Sequence, residues 1–227
     1  MRRKTQDNDL NENPFAMSIG DLMAGLLFIF ILLLTATMLK VQKQSDEEAR
    51  ITTEYNQIKT QLYIDLEAEF KDSLKVWNAV IDSTELSVRF QEPSTLFDYN
   101  KSDLKPKFTA ILNDFFPRYI ALINQPKYKK NIEEIRIEGH TDTSGEYFSN
   151  MELSQDRTRS VLQFCLNLLP KSQMKWAMQR ITANGLSSSH IITRNGKEDP
   201  KLSRRVEFRI RTNAEQKLEE IAKRRHE

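Results

Sequence analysis

The chain has 227 residues, which is enough for one ordinary domain and additional segments. It has 34 lysines and arginines against 32 aspartates and glutamates, and this near balance gives no concentrated basic face for nucleic-acid binding. The single cysteine, Cys165, excludes an intrachain disulfide, and its apolar helical surroundings predict a buried thiol. The mean hydropathy is low, −0.59, although one segment is strongly apolar.

That apolar segment comes early in the chain. Residues 22–39 carry no charge, and the apolar run extends back to residue 15. At about 1.5 Å per residue, a helix over residues 15–39 is roughly 37 Å long and can cross a hydrocarbon core of about 30 Å with some tilt. The alternative is a cleaved signal peptide, whose apolar region is only about 7–15 residues long. The run is longer and ends in a poor cleavage site, so we predict an uncleaved transmembrane helix.

The basic residues on the two sides of this helix bear on its orientation. Residues 1–14 contain Arg2, Arg3 and Lys4, and Lys40 and Lys43 follow the span. The number of basic residues therefore differs little between the two sides of the span. Because the N-terminal segment is also short, we expect a cytoplasmic N-terminus and an exported C-terminal part.

The next segment, residues 40–82, is predicted to be a helical linker because its apolar residues recur every three or four positions. A helix with one apolar stripe that continues from a membrane helix tends to pair, which predicts a dimeric stalk. The alternative is that the stripe packs on the chain's own domain. The stripe consists of Ile51, Tyr55, Ile58, Leu62, Leu66, Phe70, Leu74, Trp77 and Ile81.

From residue 83 onward the pattern alternates between strands and helices, so the chain as a whole belongs to the α+β class. Such alternation over about 130 residues, ending near residue 212, predicts a compact α/β sandwich domain. The predicted strands are residues 86–90, 132–139, 180–183 and 205–211, and the predicted helices are residues 106–123 (interrupted at Pro117), 149–169 and 213–227.

A polar loop closes the second predicted strand and leads into a helix. Residues 139–145 read G-H-T-D-T-S-G, and residues 150–157 read N-M-E-L-S-Q-D-R. A glycine-bounded loop before a helix start often holds a small polar ligand. Asp142 could bind an ammonium group and Arg157 a carboxylate, so the pair suits a zwitterion. Alternatively the loop is an ordinary turn, with Asn150 or Ser154 as the helix cap.

These elements, followed by R-R-V-E-F at residues 204–208, resemble the OmpA-like peptidoglycan-binding domain family over about residues 84–212. The resemblance implies that the carboxylate and the guanidinium grip the diaminopimelate side chain of a peptidoglycan stem peptide. The sequence departs from the family where Ser203 replaces the usual asparagine and Thr158 the usual alanine. The peptidoglycan-binding residues that the resemblance implies are Thr141, Asp142, Thr143, Asn150, Leu153 and Arg157.

Other chemistry finds little support. His140 could be a metal ligand, but the three histidines have no paired spacing and no cysteine partner, so a structural histidine at a strand end is expected. The sequence contains no nucleophile–base pair and no phosphate-binding loop. We therefore expect no enzymatic activity, no metal and no other cofactor.

Asp21 lies about six residues into the apolar span, where a carboxylate costs on the order of 2.5–3.5 kcal/mol at the membrane centre and less near an end. One explanation is an interfacial residue favoured by the helix dipole. The other is that Gly20, Ala24 and Gly25 allow a partner helix to approach and shield the acid from lipid. Because an acid in a membrane helix often marks an ion path, we predict that Asp21 translocates ions. Thr35 and Thr37 are either ion-path hydroxyls or tolerated helix residues.

A single span cannot form a channel, so a partner with several membrane helices is implied. A membrane acid, a paired stalk and a wall-binding domain together resemble the MotB family of motor stator subunits. In that family two copies sit inside a pentameric ring of MotA subunits, and ions passing the aspartate turn the ring. The stretch G-D-L-M-A-G-L-L-F at residues 20–28 and the uninterrupted linker are more similar to the ZorB family of Zorya anti-phage defence, whose ring partner is ZorA.

This resemblance implies a homodimeric, single-pass subunit of the bacterial inner membrane with a periplasmic C-terminal domain. Its expected partners are a pentameric MotA/ZorA-like ring, a second copy of itself, peptidoglycan and protons, with sodium left open. Two alternatives remain. A flagellar-type MotB stator predicts a motility phenotype, whereas a passive tether between inner membrane and peptidoglycan has no use for Asp21.

Overall fold

The structure is a computed structural model that describes residues 14–91, 96–213 and 223, with side chains from residue 18 onward. The chain divides into two compact units, Met1–Arg50 and Ile51–Glu227. Almost all of the predicted cytoplasmic segment, and nearly all of the C-terminal helix predicted at residues 213–227, lie outside the described residues.

The first unit contains the apolar segment within helix α1, which runs without a break over Pro14–Trp77. All side chains from residue 18 to residue 43 are exposed. Within the described part of the chain, α1 is the one helix long and apolar enough to cross a membrane, judged by length and composition. A helix that is apolar on all sides needs an apolar environment, which a bilayer supplies.

The two threonines of this segment bond to their own helix. The Thr35 hydroxyl donates to the Ile31 carbonyl at 2.7 Å, and the Thr37 hydroxyl donates to the Leu34 carbonyl at 2.8 Å. These bonds satisfy both hydroxyl donors locally, which is how threonine is tolerated in an apolar helix.

The second unit is a five-stranded sheet with helices on one face. The strand order is β1-β2-β7-β3-β4, in which only the β3–β4 pair is parallel, and β5 and β6 form a separate hairpin. This arrangement confirms the predicted α/β sandwich. The elements are β1 (Ala79–Asp82), β2 (Ser87–Gln91), α2 (Pro106–Ile123), α3 (Pro126–Lys129), β3 (Ile132–His140), α4 (Tyr147–Asn167), α5 (Lys171–Met178), β4 (Ile181–Gly185), β5 (Thr193–Arg194), β6 (Lys197–Glu198), α6 (Pro200–Ser203) and β7 (Arg205–Thr212).

The core lies between the sheet and the helices. Phe115 of α2 is at its centre, with ring centroids 5.0 Å from both Phe90 of β2 and Phe208 of β7. Helix α2 continues through Pro117, where the sequence predicted an interruption, because buried aromatic residues on both sides of the proline hold the helix against the sheet. Cys165 is fully buried, as predicted, and burial raises the pKa of its thiol.

The second half of the predicted stalk belongs to this domain. Leu62, Leu66 and Phe70 are fully buried in the core, and the Phe70 ring lies 5.3 Å from the Phe115 ring. The Tyr128 hydroxyl donates to Asp65 at 2.6 Å beside this contact. The stripe therefore packs on the chain's own domain from residue 62 onward, which is the alternative that its spacing left open.

The end of the predicted linker, residues 40–82, differs from the secondary structure. Residues 79–82, assigned to the linker, form the edge strand β1 of the sheet. The helical spacing continues to Ile81 by coincidence, and four residues are too few for an alternating pattern to show. Dimeric pairing of the linker before residue 62 stays a prediction.

Candidate functional site

The loop after β3 is held in one conformation by its own hydrogen bonds. Thr141 and Asp142 are almost completely buried, and the Thr141 amide donates to the Ser187 carbonyl at 2.9 Å. Oδ1 of Asp142 accepts from the Ser144 amide at 3.1 Å. Gly145 then adopts a φ of +88°, a left-handed conformation that glycine takes without strain. The Asp142 carboxylate is thus fixed just beyond the C-terminal end of β3.

Asn150 and Thr143 support this loop from neighbouring elements. Asn150 Nδ2 on α4 donates to the Ser144 carbonyl at 2.8 Å and to the Asp142 carbonyl at 3.4 Å. The Thr143 amide donates to Glu198 Oε1 on β6 at 3.2 Å, and its hydroxyl donates to the other carboxylate oxygen. Both predicted site residues therefore hold the loop in place. No sequence pattern pointed to Glu198, because β6 and the loop are far apart in the chain and share no motif.

The predicted alternative in which Asn150 or Ser154 caps this helix is wrong. Helix α4 begins at Tyr147, two residues before the predicted start, and its N-cap is Glu146. Asn150 and Ser154 consequently lie inside the helix. The Ser154 hydroxyl donates to the Met151 carbonyl at 2.9 Å and accepts from the Ser187 amide at 3.1 Å. It connects α4 to the segment that follows β4.

Arg157 is anchored by backbone carbonyls and an aromatic ring. Its Nε donates to the Lys101 carbonyl at 2.9 Å and its Nη2 to the Asp98 carbonyl at 3.3 Å. The guanidinium carbon lies 4.8 Å from the centre of the Phe97 ring. Within the described residues no ion pair joins Arg157 to Asp142. Leu153, one turn earlier in α4, is half-buried.

The counter-ion of Asp142 is Arg204, to which the sequence assigned no contact. Arg204 Nη1 donates to Asp142 Oδ2, and the side chains are 37% and 9% exposed, respectively. Burial, and then the positive charge of Arg204, lowers the pKa of Arg157. Since an arginine in a protein stays protonated, the site holds two guanidinium groups, the Asp142 carboxylate and the Glu198 carboxylate that bonds to Thr143.

A buried polar cluster lies on the sheet face opposite the helices. Glu207 accepts from the Ser87 hydroxyl at 2.9 Å, from Arg89 Nε at 2.9 Å and from Arg205 Nε. Burial alone raises the pKa of Glu207, but the charges of Arg205 and Arg89 outweigh it and bring the pKa to about 2. Burial, and then the charge of Arg205, lowers the pKa of His140 to about 3. His140 is therefore a neutral, buried histidine at the end of β3.

This burial predicts an acid-sensitive contribution of His140 to stability. The folded state resists protonation down to about pH 3, whereas the unfolded chain takes up the proton near pH 6.5. Folding should therefore weaken as the pH falls through this window, by up to about 1.4 kcal/mol per pH unit. The measurement is urea unfolding of the full chain in detergent at several pH values.

The matched control for this pH dependence is His140→Gln, which cannot titrate. Glu138 changes stability with pH in the opposite direction, because burial raises its pKa. Glu207 affects stability only at lower pH. Both remain in the variant, so the difference between wild type and variant isolates the histidine. Equal slopes for the two proteins between pH 6.5 and 4.5 would contradict the assignment.

The geometry and the sequence elements together define the class of the globular domain. The model of the OmpA family matches residues 96–205, which contain the polar loop, α4 and the start of β7. The protein thus combines one candidate membrane-spanning helix with an OmpA-like domain.

Similarity over nearly the whole chain identifies the family. Zorya protein ZorB of Escherichia coli strain Crooks is 40% identical over 229 residues, covering 96% of this chain and 94% of that protein. Zorya protein ZorB of Escherichia coli O139:H28 is 28% identical and covers 91% of this chain and 84% of that protein. A solved structure, a putative MotB-like protein from Desulfovibrio vulgaris, superimposes with a TM-score of 0.48 at 22% identity, over 67% of this chain and 90% of that one. The chain belongs to the ZorB family.

Proposed function

We propose that this chain is a non-enzymatic, stator-type subunit of an ion-driven motor in Zorya anti-phage defence, anchored to peptidoglycan by its OmpA-like domain. The observation that carries this proposal is the 40% identity to Zorya protein ZorB, because it covers 96% of the chain and so includes span, linker and domain together. The single-pass inner-membrane location, with a cytoplasmic N-terminus and a periplasmic domain, is part of the same proposal.

Features of the membrane segment support the proposal that partner helices surround it. Asp21 is exposed on α1, among large apolar side chains that are exposed as well. A lipid-facing carboxylate is costly, so neighbouring helices must cover it in the membrane. Gly20 and Gly25 have no side chains, which allows another helix to approach α1 closely. In our proposal a second copy of the chain and a pentameric MotA/ZorA-like ring cover Asp21, and protons pass through it.

The periplasmic site suits one end of a diaminopimelate side chain, which carries an ammonium and a carboxylate on the same carbon. Asp142 is fixed as an acceptor for the ammonium by the hydrogen bonds of its loop. Arg157 is held by two backbone carbonyls and the Phe97 ring, so its position is set before the ligand arrives. Its Nη1 makes no hydrogen bond within the described residues and can donate to a ligand carboxylate.

Replacing Arg157 with alanine tests the anchor. We expect retention on purified peptidoglycan sacculi to weaken at least about tenfold, because a charge-assisted hydrogen bond is worth about 1.5–3 kcal/mol. The measurement is co-sedimentation of the full chain, in detergent, over a range of sacculus concentrations.

The matched control is Arg159→Ala on the same helix. The Arg159 side chain is 75% exposed and pairs only with Asp156 at 3.0 Å within the described residues, so its removal should leave retention unchanged. A thermal melt of both variants separates loss of binding from loss of folding. Wild-type retention by a folded Arg157→Ala protein would contradict the proposed anchor.

A further inference from the structure

Arg204 already occupies the carboxylate that the ligand's ammonium needs. One oxygen of Asp142 accepts from the Ser144 amide, and the other accepts from Arg204 Nη1. The Asp142 side chain is only 9% exposed, which leaves little room for a second cation beside the first. A ligand ammonium that is to reach Asp142 must therefore displace Arg204.

The backbone around Arg204 directs its side chain towards Asp142. Asp199 caps α6 by accepting from the amides of Lys201 and Leu202, and this short helix leads directly into β7. Arg204 directly precedes β7 and has an extended backbone, and successive residues of an extended chain point to opposite sides. Arg205 is accordingly directed into the buried cluster, where it donates to Glu207 and, at 3.0 Å, to the His190 carbonyl.

The two members of the ion pair differ in their freedom to move. Asp142 is fixed by its loop, whereas the Arg204 side chain is 37% exposed and has one described partner. Arg157 is bound to two carbonyls and cannot follow a ligand. Arg204 is thus the mobile cation of the site.

We propose that Arg204 is a specificity-determining residue, which pairs with Asp142 in the free protein and moves to the ligand's carboxylate, beside Arg157, when the ligand's ammonium takes its place. This inference rests on the proposed peptidoglycan-binding function. Binding then exchanges one ion pair for three: the ammonium pairs with Asp142, and the ligand carboxylate pairs with both Arg157 and Arg204.

The exchange selects a zwitterion over a simple amine. A lysine side chain brings an ammonium without a carboxylate, so it breaks the Arg204–Asp142 pair and leaves Arg204 without an anion. A diaminopimelate side chain avoids this penalty, because it brings a carboxylate as well as an ammonium.

The test compares two synthetic stem peptides that differ only in carrying meso-diaminopimelate or L-lysine at the third position. Their affinities for the full chain in detergent are measured by calorimetry, for wild type and Arg204→Gln. We expect the variant to bind the diaminopimelate peptide about tenfold more weakly, and the lysine peptide as well as or better than wild type. Arg159→Gln is the matched control, because that side chain is 75% exposed and pairs with Asp156 rather than with a residue that holds Arg204.

The other outcomes overturn the inference in distinguishable ways. Tighter binding of both peptides by Arg204→Gln would make Arg204 a competitor only. Equal weakening of both, with a lower melting temperature, would make it a structural residue. If wild type binds normally and Arg204→Gln keeps the same selectivity between the two peptides, only the proposed role of Arg204 is overturned. If wild type binds neither the diaminopimelate peptide nor sacculi, the proposed anchor fails with it.

Discussion

Asp21→Asn is expected to abolish protection against phage while the protein stays in the membrane at its normal level. Asparagine has nearly the same size and keeps hydrogen-bonding groups, so helix packing around position 21 should persist. It cannot take up and release a proton, however, and the proposed ion step requires this exchange. The measurement is phage plating efficiency on cells that carry the whole operon, with wild type and variant matched by immunoblot of membranes.

The control for this experiment lies on the same helix. Thr35→Val removes a hydroxyl that bonds to the Ile31 carbonyl of its own helix, so we expect protection to survive. Protection that persists in Asp21→Asn would contradict the ion site and make the protein a passive tether with an interfacial aspartate. If the wild-type operon gives no protection, the defence role is contradicted, and a motility assay separates the flagellar alternative.

The elements that the sequence located well are those whose pattern repeats several times. Residues 205–211 alternate apolar and polar side chains, and the structure has β7 at Arg205–Thr212 with Val206 and Phe208 in the core. The arginines and Glu207 between them lie on the other face. A period of two with one apolar face identifies both the strand and its orientation.

The linker shows where periodicity stops being informative. Spacings of three and four residues identify a helical stripe, but they are the same whether the stripe meets a second copy or the chain's own sheet. Phe70 and Trp77 contact Phe115, which is 38 residues or more further along the chain. Which surface covers a stripe depends on such distant contacts, and a local pattern does not contain them.

The candidate site divides along the same line. The sequence predicts Asp142 and Arg157 as site residues because both lie in one strand–loop–helix segment. The groups that hold them are distant in sequence: Arg204 contacts Asp142, and the carbonyls of Asp98 and Lys101 accept from Arg157. Backbone carbonyls have no sequence signature. Arg204 was visible as part of R-R-V-E-F, yet only the tertiary structure shows which of the two adjacent arginines faces the loop.

A glycine beneath α4 connects stability to the site. Gly185 ends β4, and a Cβ built there lies 2.7 Å from the Gln155 Cα and closer still to the Gln155 amide nitrogen. These are backbone atoms of α4 and cannot rotate away. Gly185→Ala must therefore push the helix off the sheet, and we expect it to destabilise the chain by about 1–3 kcal/mol or more.

Because Arg157 is only two residues beyond Gln155, the same displacement should also weaken retention on sacculi. Gly196→Ala is the control: its φ of +75° makes alanine strained, but nothing lies within 4 Å of the added Cβ. Backbone strain alone should lower the stability of Gly196→Ala by about 1 kcal/mol. Its retention on sacculi should stay unchanged. Urea unfolding and co-sedimentation of the full chain measure both effects. Equal unfolding midpoints for Gly185→Ala and wild type would show that α4 does not approach β4 this closely, and would contradict this link between stability and the site.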